Sequence, residues 1–350
     1  MSMTPLLSRC FGVAFGILAA APGDWLARAV RGLRSRVLRD TLAVLFALSA
    51  SAGAFGWQDA PARGIQLTQP AVSVWRIGVE VQAGEGGASG IVATSPIPKE
   101  WPEQKVVRQG EEKTPNVARV ALRDLEEGVR QMVVTIPRLA PGETARVVIS
   151  FQITKFTIEP PTQVDLYRPP ASAVAPLRKY LQPSPFIESR DPQIVALASQ
   201  MGEGQTGWAK AQALFDWVRA NVKYEFAEAI KPATAALADR RGDCEELSSL
   251  FIALCRASQI PARAVWVPGH TYPEFYLVDD RGQGHWFPCQ IAGEGQPFGA
   301  MREERPILQK GDHFTVPGQR GPQRYVAPLL SARDAAAPLT LRPILERVAP

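Results

Sequence analysis

The chain has 350 residues, a length that allows two domains of ordinary size. Hydrophobic residues make up 46% and charged residues 21% of the sequence, which excludes collagen-like, disordered and coiled-coil proteins. The formal net charge of +5 comes mostly from six arginines in residues 1–55, after which 33 basic and 32 acidic residues nearly balance. The composition therefore gives no support for a nucleic-acid-binding surface.

Residues 1–54 have the order of a signal peptide. The arginine-rich stretch Arg28–Arg39 precedes an apolar run that begins at Thr41, and small residues follow at Ser49–Ala54. The apolar run is shorter than the ~20 residues that a membrane-spanning helix needs, and Ala50-Ser51-Ala52 resembles a cleavage site. We predict export to the periplasm or the extracellular space. The alternative is an uncleaved inner-membrane anchor, which would be the chain's one contact with a membrane.

Residues 65–160 alternate apolar and polar side chains, and turn residues separate the runs. This pattern predicts half-buried antiparallel strands and a small all-β sandwich-like domain. Three sets of side chains are each expected to share a buried face: Trp75, Ile77, Val79 and Val81; Met132, Val134 and Ile136; and Val147, Ile149, Phe151 and Ile153. A proline-rich linker is predicted at residues 161–184.

The periodicity becomes helical in the segment that follows. One helix is predicted from Asp191-Pro192, a second along an apolar stripe from Trp208 to Val222, and a third from Asp243. Antiparallel strands are expected after the third helix, so residues 185–300 are predicted to form an α+β domain. Residues 301–350 have weak periodicity, and we treat them as a C-terminal tail without assigned chemistry.

Cys244 lies at the predicted start of the third helix. Asp243 and Glu246 have the spacing of a capping box, which would fix that start. Free N–H groups and the helix dipole favour an anion at this position, so we predict a lowered thiol pKa and a nucleophilic Cys244. An ordinary buried thiol or half of a disulfide is the alternative, with Cys289 as a partner for Cys244 or Cys255. Cys255 lies in the helix's apolar stripe, which favours a buried thiol there.

A thiol nucleophile needs a base on a separate element. His270 and His285 open two successive predicted strands, and spacing alone does not choose between them. Gln290 is the candidate for orienting the imidazole, as the amide does in Cys-His-Asn sites. The sequence contains no C-x-x-C or H-E-x-x-H motif, so it predicts neither a metal site nor a cofactor.

Three segments together resemble the core of the transglutaminase-like superfamily. They are Gly242–Arg263, which contains the Gly-Asp-Cys-Glu-Glu-Leu run and the Ile-Pro-Ala-Arg exit, then the His270-led strand, then Trp286-Phe-Pro. The upstream segment Phe215–Tyr224 is similar to the helix and strand before that family's nucleophile. The resemblance implies a papain-like thiol fold of helices plus antiparallel sheet, with a Cys-His-Asp triad. It assigns the cysteine to Cys244 and the histidine to His270.

The sequence departs from the family pattern at two positions near the expected site. Tyr272 stands where the family usually has Trp, and Gln290 or Cys289 occupies the position of the usual Asp. A neutral Gln can orient the ring, but it cannot stabilise an imidazolium by charge as a carboxylate does. Tyr224 resembles the family's aromatic near the oxyanion site, to which Asp243 would also be close. A packed core aromatic is the alternative for Tyr224.

The predicted activity is thiol-dependent acyl transfer at amide bonds, with a protein or peptide as substrate. Water as the acceptor would make the protein a peptidase or amidase, and an amine would make it a transglutaminase. The alternative is a weak or inactive domain that serves as an exported binding or scaffold module, since Gln290 is neutral. The sequence predicts no oligomeric state.

Overall fold

A computed structural model describes residues 63–126, 128–172, 175–293 and 295–348. The contacts divide the chain into two units between residues 58 and 59, and all described residues belong to the second unit. The predicted leader, residues 1–54, lies outside the described residues. Within the described ranges, no helix has the length and hydropathy to cross a membrane.

Six strands form the amino-terminal part, as the alternating pattern predicts. They are β1 Gln66–Gln82, β2 Ala88–Ile97, β3 Gln104–Lys113, β4 Arg119–Glu126, β5 Val129–Leu139 and β6 Thr144–Glu159. The three predicted sets of side chains on β1, β5 and β6 are buried in one hydrophobic cluster. This confirms that each set shares a buried face. Strands β1, β3 and β6 lie in one sheet and β2, β4 and β5 in another, so this part is a two-sheet sandwich.

The predicted linker contains short helical turns. They are a 3₁₀ turn at Val164–Leu166, a four-residue helix α1 at Ala175–Arg178 and a 3₁₀ turn at Lys179–Leu181. Tyr167 in this segment is buried, and Arg168 forms a β-bridge with Val278. The segment is therefore packed along the helical part of the chain.

All three predicted helices are present. The helices that follow α1 are α2 Pro192–Gln200, α3 Gly207–Asn221, α4 Ala233–Asp239 and α5 Cys244–Ala257. Asp191 caps α2 through a hydrogen bond from the N–H of Gln193 (2.8 Å), and Pro192 occupies the first helical position. The predicted stripe of α3 is buried in the same cluster as most of α5. Helix α5 packs against the sheet and forms the centre of this core.

Most of the remaining strands complete the two sheets. They are β7 Lys223–Tyr224, β8 Arg241–Gly242, β9 Ala262–Val267, β10 His270–Val278, β11 Gly284–Pro288, β12 Gln309–Lys310, β13 Leu329–Ser331, β14 Asp334–Ala335 and β15 Thr340–Val348. One sheet runs β11-β10-β9-β12-β5-β2-β13, so β12 joins the strands that follow α5 to those of the sandwich. The other runs β15-β1-β6-β3, whereas β7 and β8 pair with each other in a third.

The C-terminal residues contain strands that the sequence did not predict. Strand β15 pairs with β1 over nine residues, from Thr340 opposite Gln82 to Val348 opposite Val74. Most of its side chains are exposed, so it lacks the apolar alternation by which strands are recognised. Strand β12 is only two residues long, and its position depends entirely on neighbours distant in sequence.

Two buried ion clusters attach the C-terminal segment to the rest of the molecule. Lys310 of β12 contacts both Glu103 and Glu274 of β10. Asp312 forms a fully buried pair with Arg256 of α5, whose Nη2 lies 2.7 and 2.8 Å from the two carboxylate oxygens. Charged residues are almost never fully buried unless they are paired, as these residues are. These contacts position the segment beside α5 and β10, the two elements that carry the candidate site.

Candidate functional site

Cys244 is the first residue of α5, and the capping box predicted for this helix is present. The Oδ1 of Asp243 accepts a hydrogen bond from the N–H of Glu245 (2.7 Å), and the Oε2 of Glu246 accepts one from the N–H of Asp243 (2.9 Å). Gly242 is needed for this close turn, because a Cβ there would lie 2.5 Å from the Cβ of Glu246. The reciprocal bonds fix the helix start and therefore the direction of the Cys244 side chain.

Cys244 and His270 line one cavity of about 380 Å³. Its lining residues come from the loop around β7, the start of α5, the β9–β10 turn and the C-terminal segment; they are Tyr224, Phe226, Asp243, Cys244, Glu245, Trp266, Val267, Gly269, His270 and Tyr325. The backbone N–H of Thr271 acts on the Cys244 thiol in the direction that lowers its pKa. Because Thr271 directly follows His270, the sulfur lies beside the start of β10.

His270 is placed by a tight turn and held by Gln290. Gly269 adopts a φ of +69°, a conformation that favours glycine, and so turns the chain into β10. The Nε2 of His270 lies 3.1 Å from the Oε1 of Gln290. An amide oxygen only accepts hydrogen bonds, so this contact places the imidazole proton on Nε2. The Nδ1 lone pair is then available to accept a proton from a thiol.

Gln290 and Cys289 occupy the segment where the sequence left the third site member open. The Gln290 side chain faces His270, whereas Cys289 is fully buried in the hydrophobic core together with Cys255. The backbone of the same segment is held by Arg219, whose Nη1 donates to the carbonyl oxygen of Gln290 (3.0 Å). The structure therefore brings Gln290, and not Cys289, to the imidazole.

The electrostatics of the pair differ from the prediction. Burial raises the pKa of the Cys244 thiol to about 11, and the charges of Asp243 and Glu245 act in the same direction. Burial also lowers the pKa of His270, which the hydrogen bond to Gln290 only partly offsets. The predicted lowering of the thiol pKa is wrong, because the sulfur is buried and because the helix start that would favour an anion also brings two carboxylates to it. At neutral pH the resting site holds a neutral thiol and a neutral imidazole.

His285, the second candidate base, lies at a different site. Its Nε2 is 3.1 Å from the Oδ2 of Asp279, and its ring packs edge-on against Tyr167 with centroids 5.8 Å apart. It is not among the residues that line the Cys244 cavity. The structure thus brings one of the two histidines to Cys244.

Two exposed aromatic rings stand at the mouth of the cavity. Tyr224 is 53% exposed and Phe226 is 74% exposed. Strand β7 pairs with β8 so that Tyr224 lies opposite Gly242, two residues before Cys244. The packed core position that the sequence left open for Tyr224 is therefore wrong. Exposed aromatics beside a half-buried thiol are suited to contact a bound chain.

Sequence reasoning missed the wall opposite these rings. Trp266 of β9 and Tyr325 pack together with centroids 5.0 Å apart and line the cavity. The turn before His270 is also held by Arg305, whose Nη1 donates to the carbonyl oxygen of Pro268 (3.0 Å) while Glu303 pairs with the same guanidinium. The sequence does place Trp266 in a predicted strand close to His270. Tyr325 and Arg305 gave no signal, because they lie in the segment without periodicity.

Cys244, Cys255 and Cys289 are unpaired thiols in the structure, so neither disulfide considered for Cys289 is formed. Across the described ranges, no three His, Cys, Asp or Glu side chains converge as metal ligands. The cavity itself is lined by a thiol, an imidazole, the carboxylates of Asp243 and Glu245 and the phenol groups of Tyr224 and Tyr325.

A cysteine at a helix start that faces a histidine at the start of an antiparallel strand defines the papain-like thiol fold. Residues 195–291 match the family model of the transglutaminase-like superfamily, so this part of the chain is a transglutaminase-like core. The match contains Cys244, His270 and Gln290 and ends before the segment that supplies Tyr325 and Arg305.

One of two similar solved structures agrees with this assignment of the fold. A proposed cysteine protease from Cytophaga hutchinsonii has a TM-score of 0.53 and 16% identity, covering 79% of this chain and 92% of its own. A proposed protease from Parabacteroides distasonis has a TM-score of 0.26 and 12% identity, covering 64% of this chain and 47% of its own. No curated protein matches the chain. The first structure shares the overall fold, including strands outside the core segment.

Proposed function

We propose that the chain is a thiol-dependent hydrolase that cleaves amide bonds in proteins or peptides, transferring the acyl group to water. The observation that carries this proposal is the contact of 3.1 Å between Gln290 and the Nε2 of His270, at a cavity that His270 shares with Cys244. It leaves Nδ1 of the imidazole unprotonated. A thiol and a basic nitrogen at one cavity are the parts that nucleophilic catalysis needs.

In the proposed reaction, the Cys244 sulfur attacks the amide carbonyl carbon while His270 Nδ1 takes the thiol proton. The tetrahedral oxyanion would be stabilised by the backbone N–H of Cys244 at the helix start, an effect of about 2.7–4 kcal/mol per donor in comparable sites. The C–N bond then breaks, His270 returns the proton to the leaving amine, and a thioester remains. Water, deprotonated by His270, attacks the thioester and releases the carboxylic acid and the free thiol.

The Cys244 thiol and the His270 imidazole are both neutral in the resting protein. The proposed steps therefore require the thiol proton to move to His270 as the sulfur attacks the carbonyl carbon. Because the pKa of Cys244 is raised and that of His270 is lowered, the ion pair is a high-energy state of the free protein. Gln290 fixes the ring tautomer without adding charge. We therefore expect slow turnover compared with sites in which a carboxylate supports the imidazolium.

The proposal is tested by trapping the thioester. The leader-free chain is mixed with an activated acyl ester and then with a mixture of unfolded proteins, and intact mass and peptide mapping are recorded. We expect an acyl adduct on Cys244 and new peptide ends, both lost in Cys244→Ala and reduced about 10²–10⁴-fold in His270→Ala. His285→Ala is the matched control and should keep both signals. Peptide cleavage that survives Cys244→Ala would contradict the proposal.

A second candidate function is a peptide-binding module without turnover. The observation that favours it is the neutral site, in which thiol, imidazole and amide all lack charge. Such a module would bind peptides across Tyr224 and Phe226 yet form no acyl adduct. Peptide binding that is equal in the wild type and in Cys244→Ala, with no adduct in either, would favour this function.

We also propose that the protein acts outside the cytoplasm, on the basis of the signal-peptide pattern in residues 1–54. Amino-terminal sequencing of the protein from a cell envelope fraction tests this. A new amino terminus near Ala54 is expected, and an intact leader on cytoplasmic protein would contradict it.

A further inference from the structure

A lysine lies on the buried face of β6. Phe151 and Ile153 precede Lys155 on the same face, and all three are buried, with Lys155 only 3% exposed. The side-chain alternation of a strand therefore places an ammonium where the pattern calls for an apolar group. Burying a charge costs free energy unless the charge is paired.

Within the described residues, the ammonium of Lys155 forms no direct hydrogen bond or ion pair, although the carboxylates of Glu103, Glu303 and Glu274 act on it through space. The two buried carboxylates of the same region, Glu103 and Glu274, both contact Lys310 instead. The charge on Lys155 is therefore offset only through space, and no carboxylate is paired directly with its ammonium.

Lys155 lines a cavity of about 310 Å³. The charged and aromatic residues around it are Lys155, Phe156, Arg302, Glu303 and Glu304. Its two carboxylates already face cations, since Glu303 pairs with Arg305 and Glu304 lies 3.1 Å from Arg347.

Arg302 is the other cation at this cavity and is held only loosely. Its guanidinium lies 3.8 Å from Glu159, and its side chain is 65% exposed. The charges left to act on a ligand are therefore the ammonium of Lys155 at the buried wall and this guanidinium at the rim.

We propose that this cavity binds a small oxyanion, a carboxylate or phosphate group, between the ammonium of Lys155 and the guanidinium of Arg302. Hydrogen bonds from charged donors to such oxygens are among the strongest in proteins, and guanidinium groups match their geometry. The ligand would supply the directly bonded partner that the ammonium of Lys155 lacks. The cavity shares no lining residue with that of Cys244, so this site does not depend on the proposed activity.

The protonation of Lys155 adds a pH dependence to the proposal. Burial lowers the pKa of Lys155 to about 8, and Lys310 acts in the same direction while Glu103, Glu303 and Glu274 oppose it. An anion binds the protonated form and so raises this pKa. Affinity is therefore full below about pH 8 and falls as the pH rises above it.

The test is calorimetric titration of the leader-free chain with sodium phosphate and with sodium acetate at constant ionic strength. We expect saturable binding to the wild type, at least about tenfold weaker binding to Lys155→Met and to Arg302→Gln, and weaker binding at pH 9 than at pH 7. Lys113→Met, an exposed lysine of β3, is the matched control and should bind as the wild type does. The ratio of the two affinities distinguishes a phosphate-bearing ligand from a carboxylate.

A labelling experiment on the native sequence covers the case in which Lys155→Met fails to fold. Acetic anhydride modifies unprotonated amines, and peptide mapping follows Lys155 and Lys113 in one sample. The anion should slow modification of Lys155 several-fold and leave Lys113 unchanged. Absence of saturable binding of both anions, or binding that is unchanged in Arg302→Gln and gives Lys155 no protection, would overturn the proposal.

Discussion

The Cys244 thiol is surrounded by negative charge that the helix start itself introduces. Asp243 caps the helix and Glu245 lies in its first turn, and both charges raise the thiol pKa in addition to burial. The Thr271 N–H is the group that acts most strongly in the opposite direction. The nucleophile is thus held in a fixed place but is not ionised in advance.

The first prediction concerns thiol ionisation. The rate of iodoacetamide alkylation at Cys244 should rise with pH to a midpoint well above the ~8.5 of a free thiol, because burial disfavours the thiolate. Peptide mapping of the leader-free chain assigns the rate to Cys244 and separates it from the buried Cys255 and Cys289. A midpoint below the free-thiol value would show that the thiolate is already formed in the resting site.

The second prediction concerns Gln290. Gln290→Glu keeps the length of the side chain and adds a carboxylate beside His270 Nε2, so it should raise the pKa of His270. NMR titration of the histidine ring protons measures this, and His285 is the internal control whose titration should not move. The acidic limb of any peptidase activity should shift to higher pH together with His270. A His270 titration that is unchanged in the variant would mean that the ring is not held by residue 290 in solution.

Two elements meet at the site, and each has its own means of placement. Helix α5 begins at a capping box, which is a local device, whereas β10 is placed by pairing with β9 and β11. The two elements meet where Thr271 of β10 lies beside Cys244 of α5, and the hydroxyl of Ser248 in α5 donates to the carbonyl oxygen of Thr271 (3.5 Å). The relative position of Cys244 and His270 therefore depends both on the capping of α5 and on the pairing of β10.

The third prediction separates capping from charge at that helix start. Asp243→Asn retains an N-cap side chain of similar strength but removes the carboxylate, so stability should change by only a few tenths of a kcal/mol while the Cys244 pKa falls. Urea unfolding and the alkylation midpoint measure the two effects. Asp191→Asn, the N-cap of α2, is the control: it should change stability by a similarly small amount and leave the alkylation midpoint unchanged. An alkylation midpoint that is equal in Asp243→Asn and the wild type would show that the cap does not influence the sulfur.

The molecule as a whole is held together by its C-terminal segment. Strand β12 lies between β9 and β5, and β15 covers the edge of β1. The buried pair of Arg256 and Asp312 joins this segment to the last turn of α5. The same segment supplies Tyr325, which lines the cavity, and Arg305, which donates to the turn before His270.

The fourth prediction concerns that buried pair. Asp312→Ala should destabilise the fold by about 3–5 kcal/mol, because it leaves the Arg256 charge buried without a counter-charge. Chemical unfolding measures the loss, and Glu304→Ala, which breaks an exposed pair with Arg347, should cost at most about 1 kcal/mol.

The same pair makes stability depend on pH. Interaction with Arg256 and hydrogen bonds lower the pKa of Asp312, although burial opposes this. The pair therefore stabilises the fold fully at pH values above about 3.9, the pKa of an aspartate in the unfolded chain. This stabilisation is lost as the pH falls through the lower pKa of Asp312 in the folded chain.

The fourth prediction is contradicted if Asp312→Ala unfolds at the same denaturant concentration as Glu304→Ala. The buried pair would then not hold the C-terminal segment.

The sequence by itself determined the features that depend on neighbours along the chain. Apolar alternation predicted the buried faces of β1, β5 and β6, and capping residues predicted the starts of α2 and α5. These patterns are read correctly because side-chain period and end capping are local properties of strands and helices.

Only the tertiary structure decided which side chains meet. It brought His270 and not His285 to the Cys244 cavity, turned Gln290 towards the ring, and placed the strands of residues 301–350. It also reversed the expected shift of the thiol pKa. Each of these outcomes depends on burial and on contacts between residues far apart in sequence. A local sequence pattern predicts neither burial by distant segments nor such contacts.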